Sequence, residues 1–313
     1  MSSRAWAEVL FLSLLWGGSF LSIRVALDEL APLTVVAHRV VWAAILLWAC
    51  VIWRGIAVPR NPRIWFGFLG MGLLNNVIPF SLMAWGQQHI ETGLTAILNA
   101  GTALFGVLAA ALFLADERLT ARRAIGTGLG FAGVATAVGL DQLRALDLRA
   151  LGQLAVIGGT LSYALAGVWA RKRLSGLPPQ IAAAGMLTAA SLIMLPAAWI
   201  VEGPPTLPRQ PATYAAIGYY AIVATALAYL LYYRVLAMAG AGNLMLVTLL
   251  VAPVAILLGA VALDEALPPH AYLGFALLGS GLLILNRSGP AQIAPPAGRG
   301  PLHPVPDGPL SRP

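Results

Sequence analysis

The chain has 313 residues, of which 59% are apolar and only 10% are charged, and its mean hydropathy is +0.82. Soluble domains usually carry about 25% charged residues, so this composition excludes an ordinary soluble protein and predicts an all-α membrane protein. The net charge of +7 comes from short basic clusters between apolar runs, which argues against a nucleic-acid partner.

Ten apolar segments, separated by charges and by Gly and Pro residues, predict ten transmembrane helices. They cover residues 5–26, 32–53, 64–86, 92–114, 123–140, 150–170, 180–201, 212–233, 239–262 and 270–286. If the N-terminus is inside, the 19 Lys and Arg residues divide into fourteen on the inner side, four on the outer side, and Arg39 within a span. This bias predicts a multi-pass protein of the plasma membrane, the inner membrane in bacteria, with both termini in the cytoplasm.

Few residues of the chain suit catalysis, metal binding or a soluble domain. Residues 287–313 are rich in Gly and Pro and predict a disordered cytoplasmic tail. Cys50 is the only cysteine and no histidines have metal-ligand spacing, so we expect no metal site and no cofactor. No span carries a deep Asp or Glu, which argues against a buried proton relay and against a membrane-embedded enzyme.

The two halves of the chain align with each other at a shift of 147 to 148 residues. Trp16 then falls on Tyr163, and Asp116-Glu117 falls on Asp264-Glu265. Each half holds five predicted helices, an odd number, so the second half enters the membrane from the opposite side. The sequence therefore predicts two inverted repeats, residues 1–140 and 141–286, an arrangement that suits alternating access.

These features resemble the EamA-type branch of the drug/metabolite transporter superfamily. The resemblance is carried by Trp16-Gly17 and Ser19-Phe20 in the first span, by Pro32 and Arg39 in the second, and by the acidic-Glu-x-Leu turns after the fourth and ninth spans. It covers residues 5–286 and implies a ten-helix permease for small organic solutes such as amino acids, other metabolites or drugs. We expect each acidic turn to cap the helix that follows it.

The expected function is export or facilitated exchange of amino acids or related metabolites. A multidrug efflux permease is the alternative within the same class, and a non-transporting membrane scaffold or sensor is the alternative outside it. The expected partners are a small-molecule substrate and the lipid bilayer. Glycines in the fifth and tenth spans predict close helix packing or a homodimer.

Few polar and aromatic side chains lie at membrane depth, where they are costly unless they face protein or water. The candidate substrate-binding residues are Trp16, Ser19, Arg39, Asn75, Asn76, Pro79, Thr95, Asn99, Tyr163, Tyr219 and Tyr220. The asparagines could line a cavity or join helices. Arg39 could hold a substrate carboxylate, or it could reach the interface or helix-end carbonyls. The repeat relation predicts that Trp16 and Tyr163 share one midplane cavity. The predicted interface anchors are Trp53, Trp65, Trp199, Tyr232 and Tyr233.

Overall fold

The computed structural model describes residues 1–90, 92–147, 150–204, 208–262 and 268–286. These residues form helices joined by short connections, and no strand occurs among them. The predicted disordered tail, residues 287–313, and the second acidic turn, Asp264-Glu265, lie outside the described residues.

The described residues of the first half of the chain form seven α-helices. They are α1 (Ser3–Gly17), α2 (Ser19–Leu27), α3 (Pro32–Trp53), α4 (Pro62–Gly72), α5 (Ile78–Gly86), α6 (Thr92–Phe113) and α7 (Ala121–Val138). A first π-helical segment, Leu73–Val77, joins α4 to α5. A short 3-10 helix, Leu140–Ala145, follows α7.

The second half repeats much of this order. Its α-helices are α8 (Leu151–Arg173), α9 (Pro179–Glu202), α10 (Pro211–Gly218), α11 (Ala228–Ala239), α12 (Ala241–Leu244), α13 (Val247–Ala262) and α14 (Pro269–Asn286). A second π-helical segment, Tyr219–Leu227, joins α10 to α11.

Seven helical runs in the described part are long and apolar enough to cross a bilayer. They are Ser3–Leu27, Pro32–Trp53, Pro62–Gly86, Leu94–Phe113, Leu151–Arg173, Pro179–Glu202 and Pro211–Ala239. Two apolar runs are shorter, Ala241–Val254 and Pro269–Leu285, and α7 is less apolar. The prediction of a helical membrane protein is confirmed, whereas a count of ten spans depends on α7, α13 and α14.

Both π-helical segments interrupt helices that the sequence predicts as continuous. Pro79 accounts for the first, because proline has no N–H and its ring crowds the carbonyl four residues earlier. The hydrogen bonds there shift to five-residue spacing, and the Ile78 N–H bonds to the Leu73 carbonyl. The second segment contains no proline. There the Thr225 hydroxyl donates to the Tyr220 carbonyl, five residues earlier.

The prediction of one unbroken helix over residues 239–262 is wrong. Gly240 ends α11 with a φ of +81°, a conformation that favours glycine. After it come the single turn of α12 and a turn at Met245 and Leu246, and α13 begins only at Val247. The predicted ninth span is therefore a short helix followed by a longer one.

The first acidic turn caps a helix of the other half, which corrects the prediction that it caps the next helix. The Glu117 carboxylate accepts from the backbone N–H groups of Ala241 at 2.7 Å and Gly242 at 2.9 Å, at the start of α12. Arg123 lies 3.5 Å from the same carboxylate. The helix that follows the turn, α7, is instead capped by the Thr120 hydroxyl.

The glycines of the predicted fifth and tenth spans bring α7 and α14 into backbone contact. A Cβ added to Gly133 would lie 2.5 Å from the Leu278 nitrogen, and one added to Gly281 would lie 2.6 Å from the Gly126 oxygen. Close helix packing within the chain is therefore confirmed. The homodimer stays a prediction, and it would have to use the outer faces of these helices, where Ile125, Tyr272 and Leu283 are exposed.

Carboxylates link the two halves at both ends of the bundle. At the end where α1 begins, Glu8 pairs with Arg234, and Asp116 lies 3.0 Å from Arg171. Glu117 caps α12 at this same end. We call these three links the first-end contacts.

Two further carboxylates cap helices at the opposite end of the bundle, where α2 ends. Glu202 accepts from the backbone N–H groups of Leu33 and Thr34 at 2.7 Å, at the start of α3. Glu29 accepts from the Thr213 hydroxyl and from the Gln210 N–H. These hydrogen bonds hold the pKa of the Glu29 carboxyl below its ordinary value of 4.5, with the Thr213 bond as the main cause.

Candidate functional site

A cavity with an empty volume of about 880 Å³, including its open part, lies between helices of both halves. Its lining residues lie between positions 16 and 102 in the first half and between 163 and 251 in the second, and none of these described residues is acidic. The cavity extends towards the end of the bundle where α2 ends, because Ile23, Val35 and Gln87 line it there.

Six of the eleven candidate residues come together in this cavity. They are Trp16, Ser19, Arg39, Asn75, Asn99 and Tyr163. Trp16 lies on α1 and Tyr163 on α8, and both line this cavity, as the sequence predicts for this pair. Their role in binding stays a prediction.

Trp16 packs against tyrosines of α11. Its ring centroid lies 6.4 Å from that of Tyr229 and 6.3 Å from that of Tyr232. Its indole N–H donates to the Ala224 carbonyl at 3.0 Å, within the second π-helical segment. The Ser19 hydroxyl donates to the Trp16 carbonyl at 2.7 Å and therefore holds the chain near the break between α1 and α2.

Arg39 is buried, with 7% of its surface exposed, and it does not reach the interface. Its Nε donates to the Thr225 hydroxyl at 2.8 Å, and Nη2 lies 3.4 Å from the Ala224 carbonyl. Its guanidinium carbon lies 3.8 Å from the centre of the Phe80 ring, a cation–π contact. No ion pair with Arg39 occurs among the described residues.

Tyr229 joins the first π-helical segment to α11. Its hydroxyl accepts from the side-chain amides of both Asn75 and Asn76 at 2.9 Å. Asn75 therefore does both things that the sequence left open, since it lines the cavity and also joins helices. Asn76 is fully buried behind it. Asn99, on α6, also lines the cavity, and its side chain makes no hydrogen bond within the described residues.

Five candidate residues do not line the cavity. Asn76, Pro79 and Thr95 are buried. Tyr219 donates its hydroxyl to the Leu15 carbonyl at 3.0 Å. Tyr220 is fully buried in a small apolar cluster with residues of α2 and α10.

Several lining residues were not among the candidates, chiefly Tyr229 and Tyr232 of α11. The structure also corrects the prediction for two tyrosines of this helix. Tyr232 and Tyr233 are only 2% and 5% exposed, so the prediction that they anchor the protein at the interface is wrong. The helix continues to Ala239, which places both rings deeper than a helix that ends at residue 233. Their three- and four-residue spacing from Tyr229 is a signal for one shared helix face.

Other lining residues that the sequence did not predict include Phe80, Thr102, Met245 and Thr248. The ring centroid of Phe80 lies 6.3 Å from that of Tyr163, and the same ring makes the cation–π contact with the Arg39 guanidinium. An apolar residue one position after Pro79 gives no sequence signal that separates it from ordinary packing. By contrast, Trp53 and Trp199 are exposed, as expected for interface anchors.

Comparison with known proteins identifies relatives for nearly the whole chain. The model of the EamA-like transporter family matches residues 5–139 and again residues 150–287. A "probable terminal-alkyne amino-acid exporter" of Streptantibioticus cattleyicolor is 29% identical over 293 residues, which are 92% of this chain and 94% of that protein. The uncharacterized transporter YvbV of Bacillus subtilis is 26% identical over 292 residues, 91% of this chain and 92% of YvbV.

The chain is also similar to an inner membrane transporter and to a protein of known structure. The uncharacterized inner membrane transporter YedA of Escherichia coli K12 is 24% identical over 221 residues, 69% of each chain. A protein of known crystal structure superimposes with a TM-score of 0.77 at 18% identity, over 92% of this chain and 99% of that one. The second likeness concerns the fold alone.

Proposed function

Because the chain belongs to the EamA-like transporter family, we propose that it moves amino acids or related small metabolites across the plasma membrane by alternating access. The proposed direction is export or exchange. The similarity to the probable terminal-alkyne amino-acid exporter over 92% of the chain supports a substrate of this kind.

The observation that carries the proposal is the cavity shared by the two halves. Trp16 and Asn75 of the first half face the same space as Tyr163 and Tyr229 of the second half. Polar groups inside a membrane bundle are unfavourable unless they face protein or water, and a cavity lined by them can hold a solute. A central site between two halves is also what alternating access requires.

The proposed architecture is ten spans in two inverted repeats with both termini in the cytoplasm. Two separate matches to the family model support two units. Moving Leu73–Val77 by 148 residues gives 221–225, which falls within Tyr219–Leu227, and this match of the two π-helical segments also supports the proposed repeat. In this orientation the first-end contacts are cytoplasmic and the cavity extends outwards.

Reporter fusions test this orientation. We expect a cytoplasmic signal for fusions after Arg60, Arg173 and Arg287, and an external signal after Asp147. An external C-terminus would contradict the ten-span arrangement, although the cavity would remain.

Counterflow tests transport. Purified protein in liposomes, preloaded with one amino acid, should accumulate the same labelled amino acid from outside, and empty liposomes should not. The panel should also contain a lipophilic cationic drug, because the aromatic and methionine lining also suits a multidrug permease. Arg39 makes the cavity unfavourable for such a cation. Counterflow of the drug alone would favour multidrug efflux, and no counterflow at all would favour a scaffold or sensor.

A further inference from the structure

We propose that the cavity selects organic anions, namely carboxylates with an aromatic or apolar body, and that Arg39 binds the carboxylate. The inference rests on the proposed transport function and narrows its substrate class. It predicts that a carboxylate without the amino group binds at least as well as the corresponding amino acid.

Arg39 is the one charged residue among the described residues that line the cavity. Arg39 keeps its positive charge at any physiological pH. It is 7% exposed, it takes part in no ion pair among the described residues, and no described lining residue is acidic. A buried charge without a partner is unfavourable, so an anionic ligand would relieve this cost.

Arg39 has more hydrogen-bond donors than its two protein partners use. A guanidinium group has five N–H donors. One is used by the Thr225 hydroxyl and one points to the Ala224 carbonyl, so three of the five have no partner in the described part of the protein. The Phe80 ring covers one face of the guanidinium and leaves its edge for a ligand. A carboxylate can accept two parallel bonds from such an edge.

Two other polar groups in the cavity also have no partner. Thr102 and Tyr232 line the cavity, and their hydroxyls are buried and make no hydrogen bond within the described residues. Buried hydroxyls normally have a partner, and both can donate to a ligand oxygen. An ammonium group, in contrast, would find only neutral groups such as Asn99 to accept its protons. This asymmetry favours an anion over a zwitterion.

The rings of the cavity set the character of the ligand's body. Phe80, which contacts Arg39, forms an edge-to-face pair with Tyr163. Trp16 packs with Tyr229 and shares the Ala224 carbonyl with Arg39. Rings arranged in this way provide apolar faces for an aromatic or branched aliphatic group.

The test uses four probes of similar size that differ in charge. They are 3-phenylpropionate, phenylalanine, 3-phenylpropionamide and phenethylamine, measured by calorimetry on the purified full-length protein in nanodiscs. We expect 3-phenylpropionate to bind about 10-fold or more tightly than the neutral amide and the amine, and at least as tightly as phenylalanine. Equal or tighter binding of the amide or the amine would overturn the proposal, and so would binding of phenylalanine alone.

Variants at Arg39 provide the second arm. Arg39→Gln should weaken binding of 3-phenylpropionate by about 10- to 150-fold and leave the amide unchanged, and Arg39→Lys should restore part of the loss. Arg24→Gln makes the same change of charge at an exposed position outside the cavity and should have no effect. Parent-like anion binding by a folded Arg39→Gln protein would overturn the assignment. If that variant does not fold, the ranking of the four probes on the parent decides.

The two proposals fail in different ways. A parent protein that carries neutral or cationic solutes in counterflow, with no preference for anions, would contradict the substrate class and leave transport intact. A parent protein that gives no counterflow with any solute would contradict the proposed function itself.

Discussion

Replacing Gly133 with alanine should weaken the contact between α7 and α14, although it adds only one methyl group. The new Cβ would lie 2.5 Å from the Leu278 nitrogen and 2.8 Å from the Gly274 oxygen, whereas ordinary contact begins at 3.4 Å. Both neighbours are backbone atoms, which cannot rotate away. The two helices would have to separate by about 0.9 Å, the difference between 3.4 and 2.5 Å.

The matched control is Gly128→Ala in the same helix. Nothing lies within 4 Å of a Cβ added to Gly128, so this variant gains only the better helix propensity of alanine, about 1 kcal/mol. Overpacking typically costs about 1 to 3 kcal/mol. With roughly 2 to 4 °C per kcal/mol for a protein of this size, Gly133→Ala should unfold roughly 2 to 12 °C below Gly128→Ala.

Tryptophan fluorescence during heating in detergent measures this difference directly. Equal midpoints for the two variants would refute the reasoning, because they would mean that α7 and α14 do not pack through their glycines.

Two further substitutions test contacts between the halves. Tyr229→Phe removes the acceptor of two buried asparagine amides and should lower the free energy of unfolding by about 1 to 3 kcal/mol, whereas the exposed Tyr214→Phe should have no effect in the same thermal assay. Glu117→Gln removes the charge opposite Arg123 and one of two acceptors for the start of α12. Hydrogen exchange of the first two N–H groups of α12 should become faster, and unchanged exchange would contradict the cap.

The sequence predicts those helices best whose ends are marked locally. The second span, predicted over residues 32–53, matches α3 at both ends, because Pro32 suits the first helical position and Arg54 ends the apolar run. The first π-helical segment has a local cause as well, since Pro79 predicts a kink. Trp16 and Tyr163 were predicted to share one cavity because the repeat relates them.

The remaining features depend on contacts that no local pattern encodes. Glu117 caps a helix that begins 124 residues later in the chain, so its partner could not be read from the turn itself. The second π-helical segment has no proline, and the helix that follows it continues to Ala239. For this reason Tyr232 and Tyr233 lie deeper than the predicted span of residues 212–233 implies. Thr102 and Phe80 face the cavity because of how helices from both halves pack.

The central claim is that the shared cavity is the transport site, and counterflow with Trp16→Ala tests it most directly. The assay uses a solute that the parent carries and compares Trp16→Ala with Trp199→Ala, a substitution at an exposed ring, after matching the amount of folded protein. Loss of a ring contact of about 1 to 3 kcal/mol should lower the apparent affinity of Trp16→Ala by roughly 5- to 150-fold, while Trp199→Ala stays near the parent. Parent-like affinity and flux in Trp16→Ala would contradict the claim.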